Sequence, residues 1–147
     1  MLVRGALLLI AAAAIVFGAT RLGDASACEH ARQQGFAAAL GKPVPGGPDA
    51  LAREVAGHCR GGAALSATSA VLARRGALAA AAGLAHEAIR RDPRDYQGWV
   101  ALAIVAQHEH HPIAQRAAAR RALALNPRYG AAQQLLSPAP GGGAAGP

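Results

Sequence analysis

The sequence predicts an all-α fold, and three observations lead to that class. The chain has 147 residues, of which 52% are hydrophobic but only 3% aromatic, and much of the apolar fraction is alanine. Alanine, leucine and arginine favour helices, whereas the β-branched and aromatic residues that favour strands are scarce. Apolar residues recur at helical spacing, and segments rich in Gly and Pro separate the periodic stretches. We therefore expect several short helices whose small side chains allow close approach.

Residues 1–22 form an apolar segment. Arg4 is followed by sixteen uncharged residues before Arg21. Continuing through Leu22, with the Arg21 side chain extended toward the lipid headgroups, makes a short membrane span feasible. Residues 1–22 are thus predicted to be an uncleaved signal anchor or transmembrane helix. The alternative is a signal peptide cleaved at residues 25–27 (Ala-Ser-Ala), which would make the protein secreted.

Residues 28–60 are predicted to form a helical hairpin. Helical periodicity runs over 28–40 and resumes after Asp49, and a breaker rich in Gly and Pro separates the two stretches. Cys28 begins the first predicted helix and Cys59 ends the second. Antiparallel helices would bring both cysteines to the same end of the hairpin, at a separation that suits a disulfide.

A Cys28–Cys59 disulfide also indicates an oxidising compartment. Basic residues are balanced on the two sides of segment 1–22, so charge does not predict the orientation of the chain in the membrane. The cysteines are used to predict it instead. They place the C-terminal domain on the extracytoplasmic side of a bacterial cytoplasmic membrane. Two alternatives stay open. The thiols could be free and buried, or they could form a metal site with His30 and His58, although that spacing fits no zinc pattern.

Residues 62–136 contain an internal repeat. Pro93 and Pro127 are separated by a period of about 34 residues, and each follows Asp or Asn at the end of a predicted helix. Residues 137–147, which are rich in Pro, Gly and Ala, are predicted to be a disordered tail. Four helices and a capping stub are predicted over 63–75, 77–91, 96–109, 112–125 and 129–136.

This segment resembles tetratricopeptide repeats. Trp99 and Leu102 correspond to the first positions of the family's W-x2-L-G-x2-Y helix, and Gly76 stands at the turn of the first repeat. His110 replaces that glycine in the second repeat, and Gln115 stands where a small residue is expected. The resemblance implies about two helix-turn-helix repeats, with Trp99 packed in the core between hairpins and a partner protein bound on the face of the first helices. The implied groove is lined by Ser66, Ser69, Ala73, Gln97, Val100, Ala101, Ile104 and His108.

The sequence therefore predicts a membrane-tethered adaptor for protein–protein interaction, with a membrane- or envelope-associated protein as its partner. The alternative is a non-catalytic accessory subunit of an envelope polysaccharide polymerase or ligase, because Asp92–Ala103 is similar to repeats fused to such enzymes. No catalytic triad order, paired carboxylates or phosphate-binding glycine loop is found, so we expect no enzyme, cofactor or small-molecule substrate.

Nucleic acid and metal ions are two further classes of partner. The net charge of +7 is not accompanied by stacking aromatics or a nucleic-acid-binding motif, so we expect no nucleic-acid partner. His108, His110 and His111 cluster before Pro112. They are interpreted as a solvated turn, with a transition-metal site as the alternative; no metal is expected.

Overall fold

Residues 23–137 are described by a computed structural model, and this part of the chain is entirely helical. The all-α prediction is confirmed. The predicted anchor at 1–22 and residues 138–147 of the predicted tail lie outside the described residues. Between 23 and 137, no helix is long and apolar enough to cross a membrane. The helices are α1 (23–39), α2 (Pro48–His58), α3 (Gly62–Arg74), α4 (Leu78–Arg91), α5 (Tyr96–His108), α6 (Pro112–Leu125) and α7 (Gly130–Leu136).

Helix α1 extends further toward the N-terminus than the sequence predicted. It already includes residues 23–27, so Cys28 lies more than a turn inside the helix rather than at its start. Residues 23–27 contain no proline, and the Asp24 carboxylate accepts a 3.0 Å hydrogen bond from Arg60, just after α2. This contact fastens the additional turn to the rest of the hairpin. At the other end, Gly41 has a φ of 83° and turns the chain away from the helix.

Local signals explain where three of the other helices begin. Pro48 and Pro112 occupy the first turn of α2 and α6, where a missing N–H costs nothing. Asp95 is the N-cap of α5, and its carboxylate accepts a 3.0 Å hydrogen bond from the backbone N–H of Gln97. These boundaries are therefore encoded close to each helix end.

The helices after residue 61 recur with the same period as the two prolines. α3 and α5 begin at Gly62 and Tyr96, and α4 and α6 begin at Leu78 and Pro112, so both pairs are offset by one period. In the described chain, α3 packs on α4, and both pack on α5. One period later, α5 packs on α6, and both pack on α7. The same three-helix arrangement therefore occurs twice.

The turns between these helices recur as well. Gly76 and His110, one period apart, both have a left-handed backbone, with φ of 80° and 59°. The Trp99 indole donates a 3.1 Å hydrogen bond to the carbonyl oxygen of Pro93. One period later, the Gln133 amide donates a 3.1 Å hydrogen bond to the carbonyl oxygen of Pro127. The repetition thus extends to side-chain contacts that hold each proline turn.

Two clusters of small apolar side chains form the core. The first joins α1 and α2 to α3, α4 and Val105 of α5, and the second joins α5, α6 and α7. Ile104 packs against both clusters and connects them. The largest fully buried side chains of the first cluster are Leu51, Leu65, Leu72, Val55 and Val105.

Trp99 is not a buried core residue, contrary to the expectation from the sequence. Its indole is only partly buried at the edge of the second cluster, with the guanidinium of Arg121 5.8 Å from the ring centre. The reason is that α6 is made mainly of alanine and arginine. An alanine surface leaves little depth for a large ring, so the long Arg121 side chain covers it instead.

Candidate functional site

A disulfide joins the two helices of the N-terminal hairpin. Cys28 in α1 is bonded to Cys59, which follows α2 directly, and their Cα atoms are 4.8 Å apart. The predicted pairing is confirmed. Cys59 is 2% exposed and belongs to the first core cluster. The bond therefore connects α1 to the interior of the molecule.

Arg91 of α4 binds the C-terminal end of α2. Its guanidinium donates hydrogen bonds to the carbonyl oxygens of Ala56, at 2.6 Å, and of Cys59. These carbonyls lack partners within the helix, and a cation at this end is also favoured by the helix dipole. The Arg91 side chain also donates a 2.6 Å hydrogen bond to the Glu87 carboxylate. Hydrogen bonds from Arg90 and then Arg91 lower the pKa of Glu87.

Arg75 binds the C-terminal end of α1 in the same way. Located just after α3, it donates hydrogen bonds to the carbonyl oxygens of Ala38, at 2.8 Å, and of Lys42, at 2.7 Å. Between this contact and the disulfide, α1 crosses α3 closely. A Cβ on Gly35 would lie 3.3 Å from the Thr68 hydroxyl oxygen. The hairpin is thus attached to the repeats at the end of each of its helices.

An open groove of about 690 Å³ lies between α1 and α3. Phe36 of α1 lines it and is 68% exposed, and Leu40, which directly follows α1, is 63% exposed. Val71 and three alanines of α3 supply the apolar part of the opposite wall. The polar groups in the lining, apart from the disulfide cysteines, are those of Arg32, Thr68 and Gln97.

Most residues of the predicted groove do not face this space. Gln97 lines the groove, His108 is exposed at the end of α5, and Ile104 is partly buried between the core clusters. Five residues are buried and offer no surface to a partner: Ser66, Ser69, Ala73, Val100 and Ala101.

The physical reason is the packing of the first helices. The Ser69 hydroxyl donates a 2.7 Å hydrogen bond to the carbonyl oxygen of Ala81 in α4, so it fastens the hairpin instead of facing a groove. α1 also covers another part of α3, which the tetratricopeptide resemblance left open.

Some residues of this site could be predicted from the sequence, and others could not. For Phe36, which lines the groove, the signal was its spacing of four from Leu40, which places both apolar side chains on one side of a helix. Arg75 and Arg91 carried no such signal, because they bond to the carbonyls of residues 38 and 59, which lie 37 and 32 residues away.

No family model, curated protein or solved structure matches this chain.

Two possible metal sites that contain histidine were left open as alternatives by the sequence. Neither cysteine is free, so the arrangement with His30 and His58 has no thiolate ligand. At the α5–α6 turn, His111 Nδ1 lies 3.4 Å from the Glu109 carboxylate. Across residues 23–137, no three His, Cys, Asp or Glu side chains are placed to hold one metal ion.

Proposed function

We propose that this protein is an adaptor of the tetratricopeptide type, which binds a segment of another protein in the groove between α1 and α3. One observation carries the proposal: a concave surface contains a large aromatic side chain, Phe36, that is 68% exposed. An aromatic residue exposed in a groove is typical of a protein-binding surface. Apolar side chains of the partner would contact Phe36 and Val71, and its polar groups would bond to Arg32 and Gln97.

The periodic helices support the assignment to a helical repeat array. Helix starts, turn conformations and the hydrogen bonds at Pro93 and Pro127 all recur with one period. That period is about 34 residues, the length of a tetratricopeptide repeat. Two repeats are fewer than such arrays normally need. The hairpin α1–α2 supplies the third layer, and the disulfide and Arg75 hold α1 beside α3 as the outer wall of the groove.

The proposed setting is the extracytoplasmic face of a bacterial membrane. Residues 1–22 have the composition of a membrane anchor, and the Cys28–Cys59 bond suits an oxidising compartment. The partner would then be another membrane or envelope protein. The proposed role is non-catalytic: Phe36, Val71, Arg32 and Gln97 would serve to bind the partner.

Site-specific photo-crosslinking tests this function. A benzophenone amino acid at position 36 should crosslink to one partner in intact membranes. The same group at His86, which is exposed on α4 outside the groove, should not. Phe36→Ala should weaken binding of that partner about 5- to 30-fold, because about 1–2 kcal/mol of apolar burial is lost. His86→Ala is the control, since His86 is exposed on α4 outside the groove. Equal crosslinking from positions 36 and 86 would contradict the proposal.

A further inference from the structure

The solvent face of α6 combines arginines with one exposed apolar residue. Ile113, Arg116, Ala117 and Arg120 are all exposed, and their spacing of three and four positions places them on one side of the helix. Ile113 is 78% exposed, although it is β-branched and apolar and touches no core cluster. The groove proposed for the partner does not include any of these residues.

The positive charge of this face is not neutralised locally. No Asp or Glu follows Glu109 in the sequence, whereas four arginines do, two of them Arg116 and Arg120. Among residues 23–137, neither of these two guanidinium groups lies within ion-pair distance of a carboxylate. Elsewhere in the described chain, arginines such as Arg60 and Arg91 are paired with acids. The α6 end of the molecule is therefore a cationic surface.

We propose that this face of α6 binds the surface of an anionic lipid bilayer. Arginine guanidinium groups form paired hydrogen bonds with phosphate, and each basic residue at such a surface strengthens binding. Ile113 would enter the interface between headgroups and acyl chains, as apolar residues of interfacial helices do. No aromatic residue lies on this face to stack on bases, which argues against single-stranded nucleic acid. The inference rests on the proposed membrane tether only for bringing the domain close to a bilayer.

A fluorophore on α6 tests this proposal in the full chain. Ala117→Cys introduces a single reactive thiol, because the native cysteines are bonded to each other, and an environment-sensitive dye is attached without reductant. The protein is reconstituted in vesicles of phosphatidylcholine, alone or mixed with phosphatidylglycerol. Dye emission should shift to the blue, and aqueous quencher should lose access, only with phosphatidylglycerol. Salt at about 1 M should reverse both effects.

Two charge variants identify the residues responsible. Each arginine should strengthen docking about fivefold, so Arg116→Gln with Arg120→Gln should weaken it about 25-fold. Arg53→Gln with Arg74→Gln removes the same charge from exposed positions on α2 and α3, and it should leave docking unchanged. Equal dye signals with and without phosphatidylglycerol would overturn the proposal. The proposal would also be overturned if polyglutamate or duplex DNA protected the dye on vesicles of phosphatidylcholine alone while phosphatidylglycerol gave no protection.

Flotation separates this proposal from the membrane tether. Flotation with phosphatidylcholine vesicles at high salt depends on residues 1–22, whereas the dye response to phosphatidylglycerol depends on α6. If the protein does not float but the dye still responds to phosphatidylglycerol, the tether is absent and lipid binding by α6 is retained. A protein that floats without any dye response retains the tether and disproves lipid binding by α6.

Discussion

Removal of the disulfide should cause a large loss of stability. The Cys28–Cys59 bond closes a loop with a sequence separation of 31 residues. In the chain-entropy treatment, a loop of this length contributes about 3.5 kcal/mol at room temperature. Small domains have a total free energy of unfolding of about 5–15 kcal/mol. The double change Cys28→Ser and Cys59→Ser should therefore remove a quarter or more of the stability.

Urea denaturation with two probes measures this effect. With a denaturant slope of about 2 kcal/mol per molar, the transition midpoint should fall by about 1.5–2 M. Far-ultraviolet circular dichroism reports on all helices, whereas Trp99 reports on the second core cluster. Ile104 packs against both clusters, and α5 contacts α3 and α4 as well as α6 and α7. We therefore expect both probes to shift together.

Two results would refute this reasoning. A loss below about 1 kcal/mol would mean that the bonds of Arg75 and Arg91 to the ends of α1 and α2 hold the hairpin without the crosslink. A circular dichroism transition well below that of Trp99 would mean that the hairpin detaches locally while the repeats stay folded.

Three further predictions follow from single residues. His110→Gly should raise the free energy of unfolding by about 0.5–1 kcal/mol in a thermal melt, because His110 has a φ of 59° and only glycine adopts that region without steric cost. Trp99→Ala should cost about 2 kcal/mol in urea, since the indole is only partly buried and loses one hydrogen bond and the Arg121 contact. Arg90 and Arg91 lower the pKa of Glu87 in the folded protein, so the charged carboxylate stabilises the fold at pH values above 4.5, the ordinary pKa of a glutamate. That stabilisation should disappear as the pH falls through the folded-state pKa, and Glu87→Gln should remove this part of the acid dependence in pH-dependent melts.

Each of these predictions has its own control or contrary outcome. Gly76→Ala places a side chain at the position equivalent to His110. It should destabilise by about 1 kcal/mol through backbone strain alone, because nothing lies within 4 Å of the added Cβ. A loss above about 4 kcal/mol for Trp99→Ala would show that the ring is buried as the sequence predicted. For Glu87, identical acid profiles of the variant and the wild type would show that its arginine contacts do not contribute to stability.

The helical elements could be predicted because their signals are local. Proline at the start of α2 and α6, Asp95 before α5 and glycine at the α3–α4 turn each act within one helical turn. The five helices from α3 to α7 consequently begin and end within one residue of the ranges expected from the sequence. The disulfide was predictable for a related reason. The breaker between α1 and α2 implies a hairpin, and antiparallel helices bring Cys28, more than a turn inside α1, next to Cys59 after α2.

The candidate site was predictable only in part. Gln97, which was expected in a groove on the first helices, lines the groove between α1 and α3, whereas Ser69 and Ala101 are buried by the packing of the first helices. The wall formed by Phe36 depends on where α1 crosses α3, which happens close to Gly35 and Thr68. No periodicity within one segment specifies that crossing.

The sequence by itself therefore determined the helices, their turns, the period at which they recur and the pairing of Cys28 with Cys59. Only the tertiary structure decided which faces are covered, where the groove lies and which arginines act as helix caps. The physical reason is the separation along the sequence between the residues that interact. A helix and its ends depend on hydrogen bonds to residues three or four positions away, whereas Arg75 finds its acceptors 33 and 37 residues away. Burial and long-range capping exist only once the helices have packed.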